Sequence, residues 1–186
     1  NRRIIAGSIV SGKINVGDKV VFLPSSKISK INSIEAFNSE EKKETEAGYA
    51  TGFTLDEQIY VNRGEIMCKE NEDLPYVSSE VKANIFWMGR KPFSKDREYK
   101  LKIGTSSVMF NLKEIDNVLD ASNLENEKKE KVERHEVAEC TLSLKNPIVF
   151  DLIDKIKEMG RFVIVDEYEI AGGGIILEPL EDHQTE

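Results

Sequence analysis

Near its start the chain reads GSIVSGKI, residues 7–14. The spacing G-x-x-x-x-G-K is that of a phosphate-binding loop without its last residue. Such a loop needs glycines so that backbone N–H groups can wrap the phosphates, a lysine to reach them, and a Ser or Thr hydroxyl for Mg²⁺. It also needs a strand before it and a helix after it, so that the helix N-terminus faces the anion. Here the hydroxyl position is Ile14, and NVGDKVVFL follows, a turn and then a strand. The reading excludes a nucleotide site. It predicts instead a strand over 2–11 and two tight turns, through Gly12-Lys13 and Val16-Gly17-Asp18, where glycine permits positive φ.

Two further stretches come close to known chemistry. His135-Glu136 opens HEVAE, which lacks the second histidine of the H-E-x-x-H zinc signature and alternates like a strand. On a strand, positions 135 and 140 face opposite sides, so Cys140 does not complete a site with His135. A structural or interface histidine is the expectation. Gly172, Gly173 and Gly174 in EIAGGGIILEP do not make a G-x-G-x-x-G fingerprint. They predict a bulge or a close approach of two backbones within a strand. Only two histidines are present, and His183 falls in the tail. Acid–base work would fall to carboxylates or lysines, and no nucleophile–base set or carboxylate pair stands out. The expectation is no catalytic, cofactor-binding or metal-binding residue.

The segment IFWMGRKPF, residues 85–93, holds the only tryptophan. Its plainer reading is a strand ending in a turn at Gly89, with aromatic core packing. The other reading is an aromatic patch for a partner. In that case Trp87, Arg90 and Phe93 are the candidate contact residues, because tryptophan, tyrosine and arginine dominate interface hot spots.

The elements that would position these residues are mostly strands. Short β-rich or alternating runs cover 19–23 (KVVFL), 27–37, 82–88, 99–103, 132–144 and 161–165, with polar or glycine-rich turns between them. In 27–37, Ile28, Ile31 and Ile34 are the expected inward positions, with one break in phase. The one helical signal is 150–159 (FDLIDKIKEM), where Leu152, Ile153 and Ile156 share a face. The charged runs 38–46 and 123–133 read as solvated loops or hairpin tips. A polar stretch at 69–79 that holds Pro75 marks a seam between two β domains, 1–74 and 75–180, with 181–186 a tail or linker.

Composition narrows the partners. With 186 residues, 39% of them hydrophobic, there is material for a sizeable core. The net charge of −8, without a basic run, repels phosphate backbones, so nucleic acid is not an expected partner. No apolar run reaches the roughly 20 residues of a membrane helix. Two distant cysteines, Cys68 and Cys140, read as core thiols of a reducing compartment, and the expected location is the cytoplasm. The polar start at Asn1 and the absence of a leader pattern suggest a piece of a longer polypeptide.

Taken together, the blocks are familiar. RRIIAGSIVSGKINVGDKVVFLPSSKISKINSIEAF, AGYATGFTL and IYVNRGEIMC resemble the second domain of the elongation-factor-Tu-like GTPases, with Arg63-Gly64 before its last strand. RHEVAECTLSLKNPIVFD and GRFVIVDEYEIAGGGII resemble the closing strands of the third. Within that superfamily, KANIFWMGRKPFSKDREYKLKIGTSSV is similar to the large, GTPase subunit of sulfate adenylyltransferase. The shared positions are Trp87-Met88, Pro92-Phe93, Arg97, Tyr99, Leu101-Lys102 and Gly104-Thr105. Ala171 stands where that branch usually has threonine. The resemblance covers about 2–177. It implies an all-β fold of two consecutive β-barrels like domains two and three of elongation factor Tu.

It also implies a parent enzyme in which GTP hydrolysis drives ATP plus sulfate toward adenylylsulfate and pyrophosphate in sulfate assimilation. GTP and Mg would belong to a preceding nucleotide-binding domain, and an adenylylsulfate kinase domain follows in some members. The implied partners are the chain's own GTPase domain and the small catalytic subunit, and no catalysis is expected from these residues alone. Two alternatives stand beside this: tRNA-holding barrels of a translational GTPase, and a free-standing protein-binding module.

Overall fold

A computed structural model gives the fold and describes residues 2–35, 40, 42–119, 126–127 and 129–180. The backbone divides into two compact units, residues 1–74 and 75–186. The expected tail at 181–186, with His183, lies outside the described residues, as do parts of both charged runs.

The first unit holds β1 (Ile5–Ser8), β2 (Lys13–Asn15), β3 (Lys19–Leu23), β4 (Lys27–Glu35), β5 (Glu44–Glu46), β6 (Ala50–Leu55) and β7 (Ile66–Lys69). Antiparallel pairing runs β1-β6-β4-β3-β7, and β2 pairs with β5 in a separate short ladder. Gly12 and Gly17 sit at φ +72° and +93°, as the two turns require, since side chains with a Cβ rarely adopt that region. Ile14, Val20, Phe22, Ile31, Ile34, Phe53 and Leu55 form the core.

The phase break in β4 falls later than the spacing of its isoleucines suggests. Ladder register shifts between Ile31 and Ser33, so Ile31 and Ile34 both point inward. Ahead of that bulge the period of two is intact. Ser29 shares the inward face with Ile31, and Ile28 is turned out, 45% exposed, against the expectation.

The second unit is a closed barrel. Its strands are β8 (Tyr76–Trp87), β9 (Phe93–Ser94), β10 (Glu98–Ile103), β11 (Ser106–Leu119), β12 (Asn126–Glu127), β13 (Lys131–Val132), β14 (Val137–Phe150), β15 (Arg161–Asp166) and β16 (Glu169–Pro179). The order β10-β15-β16-β8-β14-β11 returns to β10 through the β10–β11 ladder, and β12 pairs onto β11. Closure removes the free edges that an open sheet leaves. Inside lie Val81, Ala83, Ile85, Trp87, Leu101, Phe110, Leu142, Ile164 and their neighbours.

Two expected elements differ here. The strand expected over 132–144 is interrupted: β13 ends at Val132, and His135 adopts φ +73° in a turn before β14 begins. The helix expected over 150–159 is a single turn, α1 (Lys157–Gly160), because β14 continues through Phe150. Its register against β8 slips between Ser143 and Ile148, and that slip accommodates Pro147, which cannot donate to a ladder.

Candidate interaction surface

The three residues singled out as partner contacts are split by the fold. Trp87 and Phe93 are both 0% exposed, so neither can touch a partner, which corrects the interface expectation for them. Their rings stack with centroids 4.7 Å apart. Tyr99 meets both edge-on, at 5.5 and 4.9 Å, and Phe110 closes the group. Offset and edge-on contacts of this kind add to simple burial. The polar atoms are satisfied, as buried groups must be. The indole N–H of Trp87 donates to the Lys91 carbonyl at 2.8 Å, and the Tyr99 hydroxyl accepts from the Ser94 amide at 3.1 Å. Gly89 lies so close over the indole that a Cβ there would sit 2.6 Å from Trp87 Cζ2. Residues 88–92 thus form a tight loop clamped onto the tryptophan, and this loop displays Met88, Arg90 and Lys91.

Beside that loop is the β15–β16 hairpin. Its tip carries Glu167 at φ +57° and Tyr168, which is 99% exposed. Arg97 pins the hairpin through a 2.5 Å bond to Asp166 and lies over the Tyr99 ring. The hydrogen bond to that carboxylate pushes the Arg97 pKa further up, so the guanidinium stays charged. Lys91 pairs with Glu167 at 3.7 Å, joining loop and hairpin tip.

On the outer face of the barrel the registers align one row across five strands: Lys102, Val163, Gly173, Phe86 and Val137. A neighbouring row carries Lys100, Val165 and Ile170, the last 68% exposed. An open groove of about 370 Å³ runs here, lined by Lys102, Arg161, Val163, Val165 and Ile170. Gly173 has no side chain to fill the row between Val163 and Phe86. Sequence reading passed over this face. The available signal was that RFVIVD is apolar in both phases, whereas a strand with one solvated face alternates.

The first unit displays a different patch. Tyr60 lies exposed beneath the Arg3 guanidinium, 5.3 Å from the ring centroid, and within 5.9 Å of the Lys27 amine. Lys27 also donates to the Tyr60 carbonyl at 2.6 Å.

The remaining motifs resolve as structure. Ile14 packs in the first core, and β3 follows where a nucleotide loop would need a helix. The His135 amide donates to the Trp87 carbonyl at 2.7 Å, and its exposed ring is not brought to buried Cys140. Burial, with Asp116 and Glu139 nearby, pushes the Cys140 thiol up to about 12, so it stays protonated and unreactive. Neither Cys140 nor Cys68 is in a disulfide. The glycine run is a close backbone approach, as expected: a Cβ on Gly174 would lie 2.2 Å from the Asn84 carbonyl oxygen. Among the described residues no group of His, Cys, Asp and Glu is placed to hold a metal. What the arrangement offers chemically is recognition through side chains on rigid barrels.

The chain is similar to known proteins in sequence and in fold. Sulfate adenylyltransferase subunit 1 of Shewanella woodyi is 34% identical over 98% of the chain, and that of Pseudoalteromonas atlantica 30% identical over 100% of it. These names bear out the resemblance drawn from the sequence. The chain spans about two fifths of the length of each, 39%. A crystal structure of sup35 complexed with GDP superimposes with a TM-score of 0.85 at 17% identity, covering 96% of this chain and 44% of that one. Its likeness shows the fold: all-β, with two consecutive barrels of the kind found in domains two and three of elongation factor Tu. The family described as GTP-eEF1A C-terminal domain-like matches residues 80–177, more than half of the sequence, and the chain belongs to that family.

Proposed function

We propose that the chain supplies the two barrel domains of a sulfate adenylyltransferase GTPase subunit. There GTP hydrolysis is coupled to formation of adenylylsulfate and pyrophosphate from ATP and sulfate, in cytoplasmic sulfate assimilation. The observation that carries this reading is the 34% identity to a sulfate adenylyltransferase subunit 1 along 98% of the chain. The loop over residues 7–13 does not suit GTP and Mg²⁺. The one glycine-and-lysine loop has buried Ile14 where a metal-binding hydroxyl is required, and a strand after it. In this reading the nucleotide chemistry belongs to a domain elsewhere in the parent polypeptide.

In this reading the barrels act as rigid bodies. Nucleotide state changes how well they dock on the GTPase domain and on the small catalytic subunit, and only such differential contact can transmit a signal. Purifying the native polypeptide and assaying what accompanies it tests the proposal. A small subunit that makes adenylylsulfate, faster with GTP, is the expected companion, and the isolated chain is expected to turn over no GTP. Recovery of tRNA or ribosomal proteins instead would overturn it.

A further inference from the structure

We infer that the outer face of the second barrel, at β10, β15, β16 and β8, is a docking site for an acidic, apolar-bearing segment of a partner protein. The inference does not depend on which reaction the parent serves. Its floor is apolar and open to solvent: Val163, Val165, Ile170 and Phe86, with Gly173 leaving a notch in the row between Val163 and Phe86. Single exposed apolar side chains are ordinary, but a contiguous set marks an interaction site.

Its border is basic. Lys102 and Arg161 line the groove, and Lys100 stands directly opposite Val165. Among the described residues these three cations have no carboxylate within ion-pair distance. On the hairpin Asp166 is engaged by Arg97 and exposed Glu167 pairs with Lys91 at 3.7 Å, while Glu169 is exposed as well. In a chain of net charge −8, a locally basic rim around an apolar floor is complementary to carboxylates flanking apolar side chains. Tyr168, projecting from the pinned hairpin at the end of this face, is the residue type that anchors such contacts at low entropic cost. The ladder is closed, so the occupant is held by side chains and not as an added strand.

The test uses methyl- and aromatic-resolved NMR on the whole chain. The probe is a short synthetic peptide with a leucine and a phenylalanine between glutamates, compared with its isomer carrying lysines in place of the glutamates. Perturbations confined to Val163, Val165, Ile170 and Phe86 are expected. Binding should be at least about ten-fold tighter for the acidic peptide and weaken by a similar factor in the double variant K102E/R161E. Both substitutions are at exposed positions, and unchanged amide dispersion will show that the barrel persists. Ile170→Ser should weaken binding without altering the preference for the acidic peptide. Equal binding of the two peptides, shifts centred elsewhere, or none at millimolar peptide would overturn the inference. So would perturbation of this face by a single-stranded oligonucleotide but not by the acidic peptide.

Discussion

The two units solve the same problem, burying alternate residues of short strands, in opposite ways. The second closes its ladder and gathers Trp87, Phe93, Tyr99 and Phe110 into one interior group. The first has a smaller core, with Phe22 and Phe53 in it, and carries its tyrosines outside, Tyr60 under Arg3 and Lys27, and Tyr49 beneath Lys42. Their buried polar groups differ too. In the first unit these are hydroxyls: Ser29, Thr45, Thr51 and Thr54. The second also buries the carboxylates Glu136 and Asp151. Tyrosine thus serves display in the first unit, at Tyr49 and Tyr60, and both packing and display in the second, at Tyr99 and Tyr168.

Three tests sharpen or break this contrast, with stability read separately for each unit by hydrogen exchange of amides in β4 and β14. The largest effect is expected from Trp87→Ala, which should cost the second unit about 3–5 kcal/mol, as truncations of large buried aromatics do. Tyr60→Ala should cost the first less than about 1 kcal/mol, because its ring is exposed. Comparable costs would mean that the contrast between packing and display is false.

Next is Gly174→Ala, where the added methyl would meet the Asn84 carbonyl and the Phe162 ring at 2.7 Å or less. Overpacking of this kind should destabilise the second unit by about 1–3 kcal/mol. Gly7→Ala, with nothing within 4 Å of the new carbon, should leave the first within about 0.5 kcal/mol.

The smallest effect concerns charge. Burial raises the Asp151 pKa, opposed by Lys155 at 3.8 Å. The folded carboxyl holds its proton more tightly than the unfolded one, so it favours folding at low pH. That contribution is lost as pH rises through and above the ordinary carboxylate range. Asp151→Asn should therefore raise the second unit's stability at neutral pH, by less than about 1 kcal/mol, and flatten its dependence on acid. The first unit should be unaffected. An unchanged pH profile in the second would show that Asp151 is not strained by burial.

Much of the architecture was legible because strand periodicity and turn chemistry are local. The turns at Gly12 and Gly17, the close approach at Gly174 and a chain of two β-rich domains could be read from types and spacing, and the family resemblance implied that both are barrels. What escaped depends on partners far along the chain. The bulge after Ile31 is set by β6; it turns Ile34 inward, and because it falls after Ile31, Ile28 stays facing out. The slip that lets β14 run past Pro147 is set by β8. The sequence WMGRKPF has the composition of a hot spot and of a core plug alike. Tyr99 and Phe110, brought in by the closing ladder, settle it as a plug for Trp87 and Phe93. The groove face escaped because its residues are unremarkable singly and become a surface only when five strands align in register.

The placement of Trp87 has a practical consequence. It is the only tryptophan in 186 residues, and it sits in the interior of the second barrel. Intrinsic fluorescence excited at the indole band is therefore a built-in, label-free reporter of that barrel alone, its emission shifting to the red when water reaches the ring. An unfolding curve recorded this way is blind to the first unit. A mismatch between it and a far-ultraviolet circular dichroism curve would reveal, in one afternoon, whether the two barrels melt together or in turn.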